Sequence, residues 1–429
     1  MISYKQALQI LEEVGRSREP RIETLSISQA IGKILAHPIL SPEDVPSFTN
    51  SAMDGFAVRA SDTHGATQSE PIRIPVHGLV AAGDLRAFED ANRNKSGTAV
   101  EIMTGAPLPT DSYDAVVRIE DVVVNRASNS QAETILISKP VKAAENVRPL
   151  GTDFSKGQLV LPKNVRITPE HILACTSLGI TTLPVKRMPR VVILSTGSEL
   201  VSPAEQVLQP GMIRNSTGPF LKAALSRIGI EANYIGIVRD EPKLYKEYLE
   251  SVLSEGADLI ISTGAVSMGK YDFVPEVLDE MGAKTYFHKV SIRPGKPVLF
   301  AELDTSTETK CAFFGVPGNP VSTAVGLRFF IEPFIRASLG LERERSILAT
   351  LARDCPKPEG LRCFFKGTAT FEKNGITVEA LKGQASYMVS SLLDANCWVI
   401  FPEEGSQAKV NEGVEIVSLY NGFEREVLL

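Results

Sequence analysis

Three short segments rich in glycine, serine and threonine are the first features of this sequence that could do chemistry. They run from Ser195 to Glu199, from Ser262 to Gly269 and from Gly315 to Ser322, and each follows a run of apolar residues. Glycine lets the backbone approach a ligand closely, and backbone N–H groups with hydroxyl and amide side chains suit a phosphate or another oxyanion. Each segment alone also fits an ordinary strand-to-helix turn. Their recurrence favours a site for a phosphate-bearing ligand.

Carboxylates stand beside these segments and could hold a divalent cation. Glu199, Asp240 and Asp272 each follow an apolar run within a short distance. Mg²⁺ prefers such hard oxygen ligands and often joins one or two carboxylates to substrate phosphates. Asp240 also stands two residues before Pro242, a pattern typical of a helix cap, so a cap and a functional role remain equally open there.

Two cations stand in the stiff turn Arg293-Pro294-Gly295-Lys296-Pro297. Because proline limits the entropy lost on binding, this turn suits an oxyanion, although a solvated basic turn explains it equally well. The sequence contains neither a P-loop nor a G-x-G-x-x-G fingerprint, no H-x-x-x-H pair and no evident Ser-His-Asp order. Ordinary nucleotidases, dinucleotide dehydrogenases and serine hydrolases are therefore disfavoured.

The central part of the chain must position these segments. Between residues 188 and 338, continuous apolar runs alternate with stretches of helical spacing, which predicts a parallel sheet covered by helices on both faces. In such sheets, ligands bind beyond the carboxyl ends of the strands, where loops and helix N-termini converge. We therefore expect the three segments to meet at one sheet edge.

The flanking regions have a different pattern. Ser3-x-x-Gln6 predicts a capped amphipathic helix, and Thr168-Pro169-Glu170 predicts the start of a second helix. Short β-branched runs between them indicate a small β-rich unit over 45–140, inserted into a helical and linker domain formed by 1–44 and 141–187. Strand-like runs around the Glu372–Gly375 turn predict an antiparallel β module over 346–429.

Composition narrows the class of protein. At 429 residues the chain is long enough for about three folding units. The 45 basic and 51 acidic residues give a net charge of −6, which offers no general attraction to nucleic acid. Five cysteines without a C-x-x-C pair favour a reducing compartment over a disulfide framework or a zinc knuckle. The first residues lack the apolar core of a secretory signal, and no apolar run is long enough to span a bilayer.

An ordered set of motifs resembles one family along almost the whole chain. The motifs are Asn50–Arg59, Met103–Pro109, Glu145–Arg148 with Gly151–Asp153, Ser195–Leu200, Gly264–Asp272, Arg293–Pro297 and Val316–Ser322. In this order they resemble the molybdopterin molybdenumtransferases, the family of bacterial MoeA and of the gephyrin E domain. An ordered set is far more specific than any single glycine-rich loop.

The resemblance implies an α/β plus β fold in an elongated multidomain chain. It would contain a doubly wound parallel α/β domain similar to MoaB and MogA, an inserted β-rich domain and a C-terminal β-barrel-like domain. It also implies a cytoplasmic homodimer that inserts molybdate into adenylylated molybdopterin in a Mg²⁺-dependent reaction. This reaction releases AMP and is the last step of molybdenum cofactor biosynthesis. Molybdopterin adenylyltransferase and recipient molybdoenzymes are implied as further partners.

The resemblance also assigns roles by motif position. Those implied to be catalytic are Asp54, Thr104, Asp153, Glu199, Asp240 and Asp272. Among them, Mg²⁺ would be bound by Asp272, Asp240 and Glu199. The implied substrate contacts are Arg148, Ser195, Thr196, Gly197, Gly264, Ser267, Arg293, Lys296, Pro317, Asn319, Pro320, Lys366 and Ser386.

Three residues depart from the family's usual pattern. Arg293 stands where many relatives have lysine, and Lys366 stands where they often have arginine. Charge is kept at both positions, but the hydrogen-bonding geometry of the two side chains differs. Ala265 replaces the second glycine of the commoner G-G-V-S loop, which adds a Cβ near the expected ligand.

Two other functions remain open at this stage. One is molybdopterin adenylyltransferase, whose fold resembles residues 188–338 and which catalyses the preceding step. Its usual T-G-G-T-G loop differs from Thr263-Gly264-Ala265-Val266-Ser267, and the flanking domains favour insertion. The other is a dimeric scaffold without catalysis, similar to gephyrin in its receptor-holding role.

Overall fold

The computed structural model describes residues 1–84, 89, 97–109, 113–126, 133–266, 272–305, 309–373 and 375–419. Within these ranges, every helix is too short or too polar to cross a bilayer. Four groups of strands and helices make up these ranges, and the second group is inserted in sequence within the first.

The central group is built on a six-stranded sheet. In spatial order its strands are Asn233–Val238, Val191–Thr196, Leu259–Thr263, Lys310–Val316, Leu299–Asp304 and Lys284–His288. The first four run parallel, and the last two are antiparallel to their neighbours. The predicted α/β fold is confirmed, and an antiparallel edge extends the parallel part of the sheet.

Helices cover both faces of this sheet. Thr217–Arg227 and Pro320–Gly326 lie on one face, while Pro242–Ser254 and Val274–Glu280 lie on the other. Pro320–Gly326 continues through a π-helical turn, Leu327–Ile331, into Glu332–Ser338. Successive strand residues point to opposite cores, and this explains why the central strands are continuously apolar.

The opening helix, Tyr4–Arg16, packs on this α/β group. Its capping box between Ser3 and Gln6 is confirmed. Ala7 and Leu11 belong to the same core cluster as the sheet, and the helix lies along Glu332–Ser338. Its apolar face was evident in the sequence, whereas its packing partner was not.

Two small sheets combine strands that come before and after the inserted β-rich segment in sequence. Ile22–Ser26, Thr182–Lys186 and Ile34–Leu35 form a three-stranded sheet, and Ile39–Leu40 pairs with Leu159–Leu161. The helix Pro169–Ser177 packs beside them and begins at Thr168, as its sequence predicts. Its capping box is formed with His171.

The β-rich segment forms a six-stranded sheet with an apolar cluster on each face. The strands, in spatial order, are Ala115–Arg118, Gly55–Val58, Ala99–Ile102, Ile72–Val80, Thr134–Ile137 and Val122–Asn125. A separate ladder joins Asn50–Ser51 to Val147–Arg148. Short 3₁₀ turns are Ile27–Gln29, Ala60–Thr63 and Ile119–Asp121.

The C-terminal group is a small closed barrel. Its strands, in order around the barrel, are Arg362–Glu372, Gly375–Ala380, Ile347–Leu351, Gly413–Ser418 and Cys397–Phe401. The last strand pairs with the first, which closes the sheet. A short ladder joins Cys355–Pro356 to Gln407–Ala408, and a helical turn spans Ser390–Leu393. The α/β group contributes Ile292–Arg293, which pairs with the barrel strand at Arg362 and Cys363.

Substitution of Leu11 tests the packing of the opening helix. Leu11 is fully buried against the α/β core. Leu11→Ala therefore removes apolar contacts, leaves a cavity and lowers the free energy of unfolding by about 2–5 kcal/mol. We expect a lower urea midpoint for unfolding of the α/β group, followed by tyrosine fluorescence. The matched control is Leu173→Ala, because Leu173 is 72% exposed on the helix Pro169–Ser177. Equal midpoints for the two variants would contradict this packing.

Candidate functional site

Four parallel strands end together at one edge of the α/β sheet. Ser195 is level with Ile237 on one neighbouring strand and with Thr263 on the other, and Thr263 is level with Val316. The loops that follow these strands therefore leave the same edge. This register brings the glycine-rich segments together, as the strand pattern predicts.

Gly264 is the point of closest packing between these loops. Its φ is +89°, and a Cβ built on it would lie 2.3 Å from the Thr196 carbonyl oxygen. Its N–H donates to the Val316 carbonyl at 3.1 Å, and a Cβ built on Gly318 would lie 3.8 Å from Gly264 Cα. The loops after three strands thus converge around a position that requires glycine. Ala265 continues the left-handed backbone with a φ of +51°.

Asp240 joins the loops after the first two strands. One carboxylate oxygen, Oδ2, accepts the Ser198 backbone N–H at 2.7 Å and the Ser198 hydroxyl at 2.6 Å. The other oxygen, Oδ1, is buried and has no hydrogen-bond partner among the described residues. The neighbouring helix is capped at Glu241, so Asp240 braces a loop instead of capping that helix.

Glu199 lies next to Ser198 in the loop after Val191–Thr196, and Asp272 lies in the loop after Leu259–Thr263. The carboxylate of Glu199 folds back over Gly197, so that a Cβ built there would lie 2.7 Å from Glu199 Oε2. Asp272 is half-buried just before the helix Val274–Glu280, whose first N–H donates to the Ala265 carbonyl at 3.4 Å. Ser267, the remaining predicted contact of this loop, lies outside the described residues.

The carboxylates fit a hard divalent cation in their chemistry. Nowhere in the described ranges do three potential metal-ligating side chains form a group. The buried Oδ1 of the Asp240 carboxylate nevertheless has no hydrogen-bond donor in the part of the chain that the structure describes, and such an oxygen is costly to bury unless a cation or another donor completes it. Oxygen ligands from carboxylates are those that Mg²⁺ prefers.

The basic turn predicted to bind an anion lies beside the fourth parallel strand. A Cβ built on Gly295, whose φ is +96°, would lie 3.4 Å from the Ser322 carbonyl oxygen. The turn is therefore in contact with the beginning of the helix Pro320–Gly326. Arg293 and Lys296 are both exposed.

The loop before that helix is fixed by hydrogen bonds. The Thr323 hydroxyl donates to the Pro317 carbonyl at 2.7 Å and also contacts the Asn319 carbonyl. Pro320 is the first helical residue, and the Val321 N–H donates to the Ser386 carbonyl at 2.9 Å. The barrel loop that carries Ser386 thus lies against the α/β site.

Lys366 positions that barrel loop from inside. Its side chain is fully buried, and Nζ donates to the carbonyls of Gly383 at 2.7 Å and Met388 at 2.9 Å. Desolvation lowers the pKa of this ammonium group. The side chain therefore binds backbone carbonyls within the barrel, and its contribution to the site is to hold the segment around Ser386.

Ser195 and Thr196 lie beneath the sheet edge. Both are buried, and the Thr196 hydroxyl donates to the Thr263 carbonyl at 3.3 Å. Their side chains bond within the protein, so the groups that reach the edge at this point belong to Gly197 and the residues after it.

A second group of predicted residues lies in the N-terminal half of the chain. Asp54 Oδ1 accepts the Thr104 N–H at 2.7 Å, and the N–H and hydroxyl of Thr104 hold the pKa of that carboxyl below its usual range. Arg148 is paired with Asn50 in the short ladder, and the Asp153 N–H donates to the Val45 carbonyl. These residues are exposed and are not part of the α/β sheet edge.

Several polar residues near the edge were missed by sequence reasoning. Asn215, Thr217 and Tyr234 form hydrogen bonds below the strand ends, and the ring of His288 bonds the Val266 carbonyl at 2.7 Å. Because a carbonyl only accepts, Nε2 of His288 carries the hydrogen. The only feature in the sequence that points to these residues is Asn215-Ser216-Thr217 at the start of a helix, and by itself this pattern indicates only a helix cap.

Comparisons with known protein families cover nearly all of the chain. Residues 2–179 match the MoeA N-terminal region, domains I and II. Residues 192–337 match the probable molybdopterin binding domain, and residues 348–419 match the MoeA C-terminal region, domain IV.

Individual relatives match along their full length. The chain is 36% identical to a molybdopterin molybdenumtransferase of Synechococcus elongatus, over 98% of this chain and 100% of that protein. It is 31% identical to that of Bacillus subtilis, over 94% and 92% respectively. The solved structure of the molybdopterin biosynthesis MoeA protein from Pyrococcus horikosii superimposes with a TM-score of 0.80 at 31% identity, covering 98% of this chain and 100% of that one. The chain therefore belongs to the molybdopterin molybdenumtransferase (MoeA) family of enzymes.

Proposed function

We propose that this chain inserts molybdate into adenylylated molybdopterin with release of AMP, in a reaction that depends on Mg²⁺. The observation that carries the proposal is the convergence of three glycine-rich loops around Gly264 at one sheet edge. Loops of this kind present backbone N–H groups to phosphates, and the adenylylated substrate supplies a pyrophosphate. The family of the chain supports the same reaction.

The anionic substrate would be received by Arg293 and Lys296. Both are exposed on the turn that packs against the helix Pro320–Gly326. Molybdate is a dianion, so two cations held by a proline-rich turn attract it and lose little conformational entropy. Molybdenum then binds the dithiolene sulfurs of the substrate, which are soft ligands. The five buried, unpaired cysteines are consistent with packing roles, since the substrate brings its own sulfur.

The candidate Mg²⁺ ligands are Asp240, Asp272 and Glu199. Because these three do not by themselves form a metal-binding group, oxygens of the bound substrate would have to complete the coordination. Oδ1 of Asp240 supports this assignment most directly, because it is buried and none of the described residues donates a hydrogen bond to it. When bound, Mg²⁺ supplies charge neutralisation to the pyrophosphate and polarises the bond that breaks. The protein's own part is to hold Asp240 in place through Ser198, so that its free oxygen faces a fixed direction.

The active enzyme would be a cytoplasmic homodimer. Asp54, Thr104, Arg148 and Asp153 form a group of predicted residues outside the α/β edge, and within it Asp54 accepts the Thr104 N–H. A second copy could bring this group to the α/β site, which would join both sets of predicted residues. We also propose four domains: a helical and linker domain formed by 1–44 with 141–187, a β-rich domain over 45–140, an α/β domain over 188–338 and a barrel-like domain over 346–429.

Release of AMP separates insertion from adenylylation. We expect purified protein with Mg²⁺ and adenylylated molybdopterin to release AMP when molybdate is added, as measured by chromatography. Formation of the adenylylated compound from ATP and molybdopterin, without molybdate-dependent AMP release, would favour the adenylyltransferase. A stable dimer with neither activity would favour a scaffold.

Asp240→Asn tests the proposed cation site. The amide oxygen can still accept from Ser198, but the buried negative charge is lost. We expect AMP release to fall on the order of 100-fold and the Mg²⁺ dependence to shift to higher concentration. The matched control is Asp354→Asn, because Asp354 also accepts a backbone N–H, from Val410, but lies on the barrel. An unchanged Mg²⁺ titration for Asp240→Asn would contradict the assignment.

Gly264→Ala tests the loop convergence. Its Cβ would meet the Thr196 carbonyl at 2.3 Å, in addition to a left-handed backbone penalty of about 1–2 kcal/mol. Gly229→Ala is the control, because Gly229 has a similar φ of +82° with no atom within 4 Å of the added Cβ. We expect AMP binding, followed by calorimetry, to be lost in Gly264→Ala and kept in Gly229→Ala. Equal AMP affinity in both variants would contradict the proposed binding surface.

A further inference from the structure

A connected set of side-chain polar contacts lies directly under the strand ends of the α/β site. The Asn215 amide Nδ2 donates to the Tyr234 hydroxyl at 2.6 Å, and the Thr217 hydroxyl donates to Asn215 Oδ1 at 3.2 Å. Thr263 Oγ1 lies 3.2 Å from both Thr217 Oγ1 and Ser195 Oγ. Ser195 also lies close enough to Tyr234 to affect the pKa of its phenol, so the two ends of the set are near each other. We call these five side chains the hydroxyl ring.

The hydroxyl ring is buried among apolar residues. Asn215, Thr217, Thr263 and Ser195 are each at most 5% exposed, and Tyr234 packs against the core cluster on that face of the sheet. Burial raises the pKa of the Tyr234 phenol, and the neighbouring Ser195 hydroxyl partly offsets this rise. A buried polar group that loses its partner is destabilising, so each member depends on its neighbours being in place.

The ring links three elements that carry the site. Ser195 is two residues before Gly197, Thr263 directly precedes Gly264, and Thr217 is the first residue of the helix Thr217–Arg227. The fit is tight, because a Cβ built on Gly218 would lie 2.4 Å from the Tyr234 ring. The Gly218 N–H also donates to Asn215 Oδ1 at 3.3 Å. The ring therefore fixes the spacing between strand ends and helix N-terminus.

We propose that the hydroxyl ring is a positioning device for the backbone at Gly197 and Gly264, with Asn215, Thr217 and Tyr234 as positioning residues that do not touch substrate. This inference rests on the proposed function for its effect on catalysis, whereas its effect on the loops is independent of it. A rigid support of this kind holds binding groups in the geometry that a substrate needs. Its loss should therefore loosen the substrate-binding backbone and weaken binding.

The same sheet contains a matched control bond. The Tyr245 hydroxyl donates to Ser262 Oγ at 2.8 Å, and both residues are fully buried. Ser262 is adjacent to Thr263 in sequence but points to the other face of the strand, where Tyr245 belongs to the second core cluster. Tyr245→Phe therefore removes a similar buried bond at the same depth without touching the ring.

The experiment compares Thr217→Val, Tyr234→Phe and Tyr245→Phe in the full-length protein. Hydrogen–deuterium exchange would be measured on peptides covering residues 195–199 and 263–266. We expect faster exchange there in Thr217→Val and Tyr234→Phe, wild-type exchange in Tyr245→Phe, and restored protection in Thr217→Ser. Similar exchange in both tyrosine variants would overturn the proposal. Two ring variants are used so that poor folding of one leaves the comparison intact.

Kinetics provide the second readout. A loss of about 1 kcal/mol in the free energy of substrate binding corresponds to a rise of about fivefold in KM for adenylylated molybdopterin. We expect kcat to change much less. An equal fall in kcat for all three variants would show a general structural effect and contradict the proposal. If the wild-type protein releases no AMP, the proposed function fails, and the exchange comparison alone decides the role of the ring.

Discussion

The close contact between Gly264 and the Thr196 carbonyl is the constraint on which the rest of the site depends. It exists because four parallel strands end level with one another, so that their loops must share a small space. A side chain at Gly264 would push the loops apart, and backbone N–H groups would no longer face a common ligand. The loops therefore converge only if the strands end level with one another and residue 264 is a glycine.

Polar groups maintain this arrangement from two directions. Below the edge, the hydroxyl ring fixes the strand ends and the start of the helix Thr217–Arg227. From the side, the barrel loop around Ser386 contacts the Val321 N–H, and the buried Lys366 ammonium holds that loop. Lys366 stays a predicted substrate contact, and in this structure its ammonium group donates to two carbonyls of the barrel loop.

Features governed by local sequence could be predicted, and those governed by distant packing could not. The capping box at Ser3, the helix after Thr168 and the four parallel strands follow from patterns within a few residues, and all are confirmed. The antiparallel strands Lys284–His288 and Leu299–Asp304 were missed. Lys284–His288 is a partly exposed edge strand without a continuous apolar run, whereas Leu299–Asp304 is buried and its apolar residues do not reveal its direction in the sheet. The inward orientation of Ser195 was also missed, since a serine in a glycine-rich loop has the same sequence whether it bonds a ligand or a neighbouring strand.

Asp240 shows why the choice between a structural and a functional role was open in the sequence. A carboxylate has two oxygens, and here they are in different environments: Oδ2 accepts two bonds from Ser198, while Oδ1 is buried without a partner among the described residues. The first oxygen removes the rotational freedom of the group, and this reduces the entropy lost when the second oxygen binds a cation. The structural bond is therefore a condition for the proposed binding role, so the two interpretations of Asp240 describe one residue acting through separate atoms.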